Sequence, residues 1–170
     1  MCAVGNNPLN CRFRRPSFLF CHSKFVLTKA ITMKTVNLPN DIRIFGMQVK
    51  SFPLGIGEAF EKLVKMIPGG FSRSYYGISY MENGKMVYYA AAEELSPVEP
   101  EKYSCTRLTI EKGEYLTESL NDWRSKTDQV KNVFERLVAD KRVDKTKPAV
   151  EWYKDENEML CMVRTIDQSK

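Results

Sequence analysis

The sequence predicts an α+β fold made of two duplicated β-α-β-β units related by pseudo-two-fold symmetry. The units share an antiparallel sheet, with helices on one face and a central cleft between the halves. Three observations support this prediction: a repeated amphipathic helix, a β-hairpin after each copy of it, and a polar, proline-containing linker between the copies. A chain of 170 residues that is 43% hydrophobic and 28% charged is long enough for one domain with its own core.

The repeated helix fixes the architecture. Residues 59–64 read AFEKLV and residues 133–138 read VFERLV, so each position of the first segment recurs 74 positions later. Both segments carry apolar side chains at the i, i+3, i+4 and i+7 positions of an amphipathic helix. The stripes are Phe60, Leu63, Val64 and Ile67, and then Val130, Val133, Phe134 and Leu137. By itself such a stripe predicts packing against a sheet.

Six strands are predicted, one before each helix and two after it. They cover residues 42–50, 75–80 and 86–93, and then residues 105–110 (with a possible continuation to 115), 149–153 and 159–166. Asn83-Gly84 is the strongest hairpin signal, because both turn residues tolerate a positive φ. The hairpins correspond at an offset of 73, which predicts that Ile78 superposes near Glu151.

A linker over residues 95–101 separates the halves, residues 33–94 and 102–170. A single unit of this size leaves one sheet edge unpaired and has a thin core. Pairing the edges of the two halves covers both. Clefts between symmetric halves are common ligand sites, particularly when aromatic and polar side chains line them.

The positive charge is confined to the N-terminal segment. Residues 1–32 hold five Lys or Arg and no acidic residue. Residues 33–170 therefore contain 21 basic and 21 acidic residues. A neutral body lacks the surplus of positive charge that binding to nucleic acid requires. We interpret residues 1–32 as a basic extension, either a disordered or transit-like leader or a start upstream of Met33. Deleting it is expected to leave the melting temperature unchanged.

Cysteine and histidine usage excludes several classes of enzyme. The single histidine, His22, lies in the extension, so the body cannot use imidazole as a base or metal ligand. Cys105 and Cys161 stand alone in apolar contexts, which is typical of a reduced, cytoplasmic protein without a zinc site. No metal or cofactor is predicted. No apolar run reaches the length of about 18 residues that a membrane span needs.

Four motifs in order resemble those of the GyrI-like small-molecule-binding domain. They are YYGISY followed by MVYYAAAEE, an I-x-x-G-x-Y motif formed by Ile110, Gly113 and Tyr115, and V-E-W-Y at the start of the last hairpin. The resemblance spans roughly residues 33–167. This domain forms the effector-binding half of bacterial multidrug-responsive transcription regulators and also occurs as free-standing proteins.

The resemblance implies a set of ligand-binding residues. An E-x-Y pattern places the pocket glutamate at Glu151 with Tyr153, and the first hairpin supplies aromatic residues. The remaining candidates are Tyr76, Tyr80, Tyr88, Glu93 and Tyr115. Because strand side chains alternate, Tyr88 and its neighbour Tyr89 cannot both face the cleft. The same alternation separates Glu151 and Tyr153 from Trp152, which is expected to pack beneath the helices.

Each candidate carboxylate also has a plainer interpretation. Glu151 can be an ordinary exposed residue of an edge strand, and Glu93 can form a solvated pair with Glu94. The sharper interpretation is a desolvated carboxylate ringed by tyrosines, which attracts an organic cation by Coulomb and cation–π interactions.

Three functions therefore remain open. The favoured one is binding of amphipathic, aromatic or cationic small molecules by a stand-alone sensor or scavenger, as a monomer or weak dimer without direct nucleic-acid or membrane contact. The second is implied by the resemblance, because some free-standing GyrI-like proteins resemble hydrolases of strained, reactive aromatic toxins; Glu93 and Glu151 would then activate water. The third is an interaction protein that needs no pocket. No catalytic residue is assigned.

Overall fold

The computed structural model describes residues 33–167. It contains eight strands, two longer helices and one short helix. The strands are β1 Lys34–Leu38, β2 Ile42–Gln48, β3 Tyr75–Glu82, β4 Lys85–Glu93, β5 Thr106–Ile110, β6 Gly113–Asn121, β7 Ala149–Tyr153 and β8 Glu158–Arg164. The helices are α1 Ile56–Met66, α2 Glu99–Lys102 and α3 Val130–Ala139. The expectations for residues 1–32 lie outside the described residues.

All eight strands form one antiparallel sheet in the order β1-β6-β8-β7-β3-β4-β2-β5. Exchanging each strand of the first half with its counterpart in the second (β1 with β5, β2 with β6, β3 with β7, β4 with β8) reverses this order onto itself. The pseudo-two-fold axis therefore passes between β3 and β7, where the two halves pair. The predicted α+β fold with duplicated units and an antiparallel sheet is confirmed.

Each half begins with one strand more than predicted, so the unit is β-β-α-β-β. The prediction missed β1, an edge strand of five residues in which only Val36 and Leu38 are apolar, so that its alternation with exposed Thr35 and Asn37 is too short to stand out. The prediction also allowed a single strand to continue from residue 105 to 115. In the structure the chain turns at residues 111–112, and a separate strand, β6, follows. Polar residues within β6 conceal its strand character from the sequence.

The turn of the first hairpin has the predicted geometry. Asn83 and Gly84 are the only two residues between β3 and β4, with φ values of 49° and 76°. Positive φ at both central positions matches the right-handed twist of the flanking strands, which is why Asn-Gly is favoured there.

The sheet curls towards its helix-free face. Short loops at residues 39–41 and 111–112 join strands that lie at or next to opposite edges of the sheet. Side chains from both edge regions consequently meet in one apolar cluster inside the curl. Its members include Leu38 of β1, Ile44 of β2, Ile110 of β5 and Tyr115 of β6, together with Tyr76, Ile78, Val150 and Met162.

The opposite face carries both longer helices, as predicted. Leu63 of α1 is fully buried in a cluster with Phe45 and Tyr75, and Leu137 of α3 is fully buried in a cluster with Leu116 and Met159. We call this the helix face of the sheet. No helix in residues 33–167 has the length and apolarity needed to cross a membrane.

Candidate functional site

Glu151 lies on the helix face of β7, next to the pseudo-two-fold axis. Its backbone pairs with Gly77 of β3 on one side and with Cys161 of β8 on the other. Tyr153, two residues along the same strand, packs against the apolar clusters beneath both α1 and α3. The Glu151 carboxylate therefore lies between the part of the sheet that α1 covers and the part that α3 covers.

Gly77 provides the space for this carboxylate. A Cβ atom at Gly77 would lie 2.1 Å from the Tyr88 hydroxyl and 2.6 Å from Oε2 of Glu151, so any side chain there collides with both. The 74-residue offset that relates the helices also carries position 77 onto position 151. The expected equivalence of Ile78 and Glu151 is wrong, because Ile78 packs in the cluster on the helix-free face and an odd offset exchanges the two faces.

Two tyrosines hold the Glu151 carboxylate. The Tyr88 hydroxyl donates to Oε2 at 2.6 Å, and the Tyr153 hydroxyl donates to the same oxygen at 2.5 Å. Glu151 is 8% exposed. Within residues 33–167 no lysine or arginine pairs with it, and no hydrogen bond reaches its Oε1 atom.

The electrostatics of this group follow from its burial. Burial raises the pKa of Glu151, and the hydrogen bonds from Tyr153 and Tyr88 oppose that shift only in part. Burial, followed by the negative charge of Glu151, raises the pKa of Tyr88 and Tyr153 well above that of an ordinary tyrosine. At neutral pH both tyrosines are therefore neutral donors, and Glu151 is the acidic group of the site.

Aromatic rings surround the two tyrosines. Phe60 of α1 and Trp123 contact Tyr153 edge-to-face, with ring centroids 5.0 Å and 4.9 Å from it. The ring of Phe52 tilts against Tyr88 at 5.7 Å. The carboxylate thus lies in an aromatic enclosure to which both halves contribute.

The other buried glutamates in residues 33–167 have arginine partners. Arg136 of α3 donates to both oxygens of Glu118, at 2.5 Å and 3.3 Å. Arg73 donates to Glu99 at 2.8 Å, and the amides of Leu95 and Ser96 complete the pairing of Glu99. Among the described residues, no three acidic, Cys or His side chains are grouped so that they could hold a metal ion.

The structure brings together only part of the predicted site. Glu151, Tyr153 and Tyr88 meet on the helix face, and Tyr89 lies on the opposite face, as alternation requires. The remaining candidates are directed elsewhere. Tyr76, Tyr80 and Tyr115 pack in the helix-free cluster, and Glu93 pairs with Ile44 of that same cluster.

Trp152 is also corrected by the structure. It was expected beneath the helices, but it packs in the helix-free cluster with its ring 6.0 Å from that of Tyr76. The helices lie on the face of Glu151 and not on the face of Trp152. Alternation along β7 separates these two residues correctly but does not indicate which face the helices cover.

Three aromatic residues of the enclosure were not predicted as site residues. Phe60 was interpreted as part of the core stripe of its helix, Phe52 lies in a loop, and Trp123 begins a short 3₁₀ helix, Trp123–Ser125. The duplication could have indicated Phe52 and Trp123. Each lies in the connection from the second strand of its half to the following helix, so the duplication places one aromatic residue on either side of the axis.

Comparisons with known proteins support the fold. No family model matches the sequence, and no curated protein matches it. An integron cassette protein from Vibrio cholerae is similar in structure, with a TM-score of 0.62 and 17% identity over 79% of this chain and 95% of that one. SAV2435, solved bound to tetraphenylphosphonium, has a TM-score of 0.56 and 14% identity over 81% of this chain and 95% of its own. The chain has the GyrI-like fold that its motifs predicted.

Proposed function

We propose that this protein binds organic cations that carry aromatic rings, at Glu151 between the two helices, and acts as a stand-alone sensor or scavenger. The observation that carries the proposal is a buried carboxylate with no cationic partner among the described residues. Glu118 and Glu99 are equally buried and are neutralised by Arg136 and Arg73. For Glu151 the ligand would supply the missing positive charge.

The physical basis is the free energy of burying a charge. A lone carboxylate out of water is unfavourable, and an opposite charge beside it recovers much of that loss. Tyr88 and Tyr153 already orient Oε2, and no residue between 33 and 167 donates a hydrogen bond to Oε1. Aromatic faces nearby add cation–π attraction, which is strongest where water is excluded.

The solved complex of SAV2435 supports the chemical class of the ligand. That protein shares this fold and is bound to tetraphenylphosphonium, a cation with four phenyl rings and no hydrogen-bond donors. A ligand of this kind can be recognised only by charge, shape and ring contacts. The enclosure around Glu151 offers those three interactions.

The test is a titration of the full chain with tetraphenylphosphonium and with triphenylphosphine oxide, a neutral compound of similar shape. Glu151→Gln keeps the size and the hydrogen-bond acceptor but removes the charge. Affinity for the cation should fall by about tenfold or more, roughly 1.4 kcal/mol, while affinity for the neutral compound changes little. Glu156→Gln, at an exposed position after β7, is the matched control and should change neither.

The pH dependence gives a second signature. Because burial raises the pKa of Glu151, the cation should lose affinity on acidification at a higher pH than an ordinary carboxyl would cause. Glu151→Gln should abolish that dependence. Equal, small effects of Glu151→Gln on both compounds would contradict the proposal.

A hydrolase remains the second candidate, because a carboxylate with a raised pKa and one free oxygen is suited to activating water. In that case Glu151→Gln should leave substrate binding nearly intact and abolish turnover of a strained aromatic electrophile. The same variant therefore separates the two functions.

A further inference from the structure

We propose that Phe52 is a displaceable cover of the Glu151 site, occupying the position that an aromatic ring of the ligand takes on binding, and that Trp123 is a fixed wall. This inference rests on the proposed function. It identifies the side from which a ligand enters and predicts that two aromatic residues at related positions affect affinity in opposite directions.

The two rings occupy related positions in the duplicated fold. Phe52 lies in the loop between β2 and α1, and Trp123 begins the 3₁₀ helix in the connection between β6 and α3. Each ring contacts one of the two tyrosines that donate to Glu151, Phe52 against Tyr88 and Trp123 against Tyr153. Together they cover the carboxylate from the two halves.

Trp123 is held in place by several interactions. Its indole N–H donates to the carbonyl of Asp155 at 3.2 Å, and its backbone N–H donates to the carbonyl of Asn157 at 3.4 Å. The guanidinium of Arg124 lies 5.2 Å from its ring centroid. Moving Trp123 would break these interactions together with its contact on Tyr153.

Phe52 has no comparable attachment among the described residues. The loop is tied to β4 at its start, where the Val49 N–H donates to the Tyr88 carbonyl at 2.8 Å, but around Phe52 the backbone hydrogen bonds are local, from Gly55 N–H to the Ser51 carbonyl and from Ile56 N–H to the Pro53 carbonyl. The Phe52 side chain is 43% exposed, and Leu54 beside it is 92% exposed. Displacing Phe52 requires mainly the loss of its ring contact with Tyr88.

That displacement is necessary for binding on this side of the site. Tyr88 is only 1% exposed with Phe52 in place, so a ligand cannot contact its ring from solvent. A phenyl ring of the ligand that replaces Phe52 against Tyr88 restores the lost contact and brings the attached positive charge towards Glu151. The apparent affinity is therefore the affinity of the open state multiplied by the fraction of molecules that are open.

Substitutions at Phe52 and at Trp123 should therefore change affinity in opposite directions. Phe52→Ala removes the competitor, and tetraphenylphosphonium should bind the full chain about three- to tenfold more tightly and associate faster. Trp123→Phe keeps an aromatic ring but loses the indole hydrogen bond, and should weaken binding by about threefold. Leu54→Ala, in the same loop as Phe52, should change neither affinity nor rate. Calorimetric titration gives the affinities and stopped-flow fluorescence the rates.

The outcomes separate this inference from the proposed function. Phe52→Ala binding more weakly than the wild type would show that Phe52 is a wall, and would overturn the inference even if Glu151→Gln behaves as expected. Tighter binding by Phe52→Ala with no effect of Glu151→Gln would support the cover and contradict the role of the charge. Absence of binding in both the wild type and Phe52→Ala would contradict both proposals.

Folding of the variants needs a separate check, because each change removes packing. Melting temperatures identify any variant that fails to fold. Phe52→Leu is the second variant at the cover, since it keeps an apolar side chain but cannot stack on Tyr88. Its affinity should lie between those of the wild type and Phe52→Ala, and an affinity below that of the wild type would again overturn the inference.

Discussion

Glu118 and Glu151 lie on the same face of the sheet, on either side of Cys161, and differ in how their charge is compensated. Cys161 pairs with Glu118 of β6 and with Glu151 of β7. Their exposures are 7% and 8%, so burial does not distinguish them. Glu118 is paired with Arg136, whereas the only partners of Glu151 among the described residues are two neutral hydroxyls.

The comparison shows that equal burial can accompany very different compensation of charge. A buried ion pair is a structural solution, because each charge offsets the desolvation of the other. A buried carboxylate held by neutral donors is left with an unfavourable charge, which a ligand can exploit. The two glutamates should therefore respond in opposite directions when their charges are removed.

Arg136→Gln should strongly reduce stability. It leaves Glu118 buried beneath α3 without a cation, and removing one partner of a buried pair typically destabilises by about 3 kcal/mol. Because the Arg136 side chain is 37% exposed, we expect a loss of about 2 kcal/mol here. Urea denaturation measures the change. The double variant Glu118→Gln/Arg136→Gln should recover most of the loss, and an equally unstable double variant would contradict a charge-pair explanation.

Gly77→Ala tests the space beside Glu151. The new methyl would collide with the Tyr88 hydroxyl and Oε2 of Glu151, and overpacking of this kind costs about 2 kcal/mol. Binding of tetraphenylphosphonium should also weaken, because the carboxylate must move. Gly57→Ala is the matched control, since nothing lies within 4 Å of its added Cβ. Equal stabilities of the two variants would show that the site at Gly77 tolerates a side chain.

Glu151→Gln should raise stability at neutral pH, by roughly 1 kcal/mol, a size typical of relieving strain at a functional site. The folded-state pKa of Glu151 is raised, so folding binds a proton between the unfolded and folded pKa values and stability falls as pH rises through that window. The advantage of the variant should therefore grow from about pH 4 upwards and then level off. Melting temperatures across pH 4–8 measure it, and a variant less stable than wild type at pH 7 would contradict the comparison.

The dependence of stability on pH should have the opposite sign for Glu99. Burial raises the pKa of Glu99, but the hydrogen bonds from Arg73, Leu95 and Ser96 and the charge of Arg73 together lower it. Its contribution is therefore present at neutral pH and lost as pH falls through its folded-state pKa. Glu99→Gln should reduce stability most near pH 7 and least in acid, unlike Glu151→Gln.

The smallest expected effect is that of Tyr88→Phe. Loss of one hydroxyl donor should raise the pKa of Glu151 further, so the acid limit of cation binding should move to higher pH, with an affinity change of only a few-fold at pH 8. Tyr80→Phe, on the helix-free face, should leave the whole pH profile unchanged. A shift of the profile by Tyr80→Phe would place the ligand inside the curl of the sheet.

The main architecture was predictable because it depends on local patterns. The helix stripes, the Asn83-Gly84 turn and the repeat are readable within short windows. β1 was not, because the alternation of Val36 and Leu38 with polar residues covers only four positions of an edge strand. β6 was not, because its buried Thr117 and Glu118 are polar and are satisfied by partners distant in sequence.

The site was predictable only along single strands. Alternation placed Glu151 with Tyr153 and separated Tyr88 from Tyr89. It could not place Tyr76 relative to Glu151, because that depends on the register between β3 and β7, which are far apart in sequence. The family resemblance indicated Glu151 as the pocket glutamate. That Glu151 has no arginine partner among the described residues could be established only from the structure, by comparison with the other buried glutamates.

The pairing of Gly77 with Glu151 across the axis has a consequence for any protein built from two similar halves. In a dimer of identical units, whatever stands on one side of the axis also stands on the other, so a carboxylate there would face its own copy and the two charges would repel. Joining the halves in one chain removes that constraint. One copy of the position carries the acid, and the other carries only a hydrogen atom, which leaves room for a single charge and the two hydroxyls that hold it.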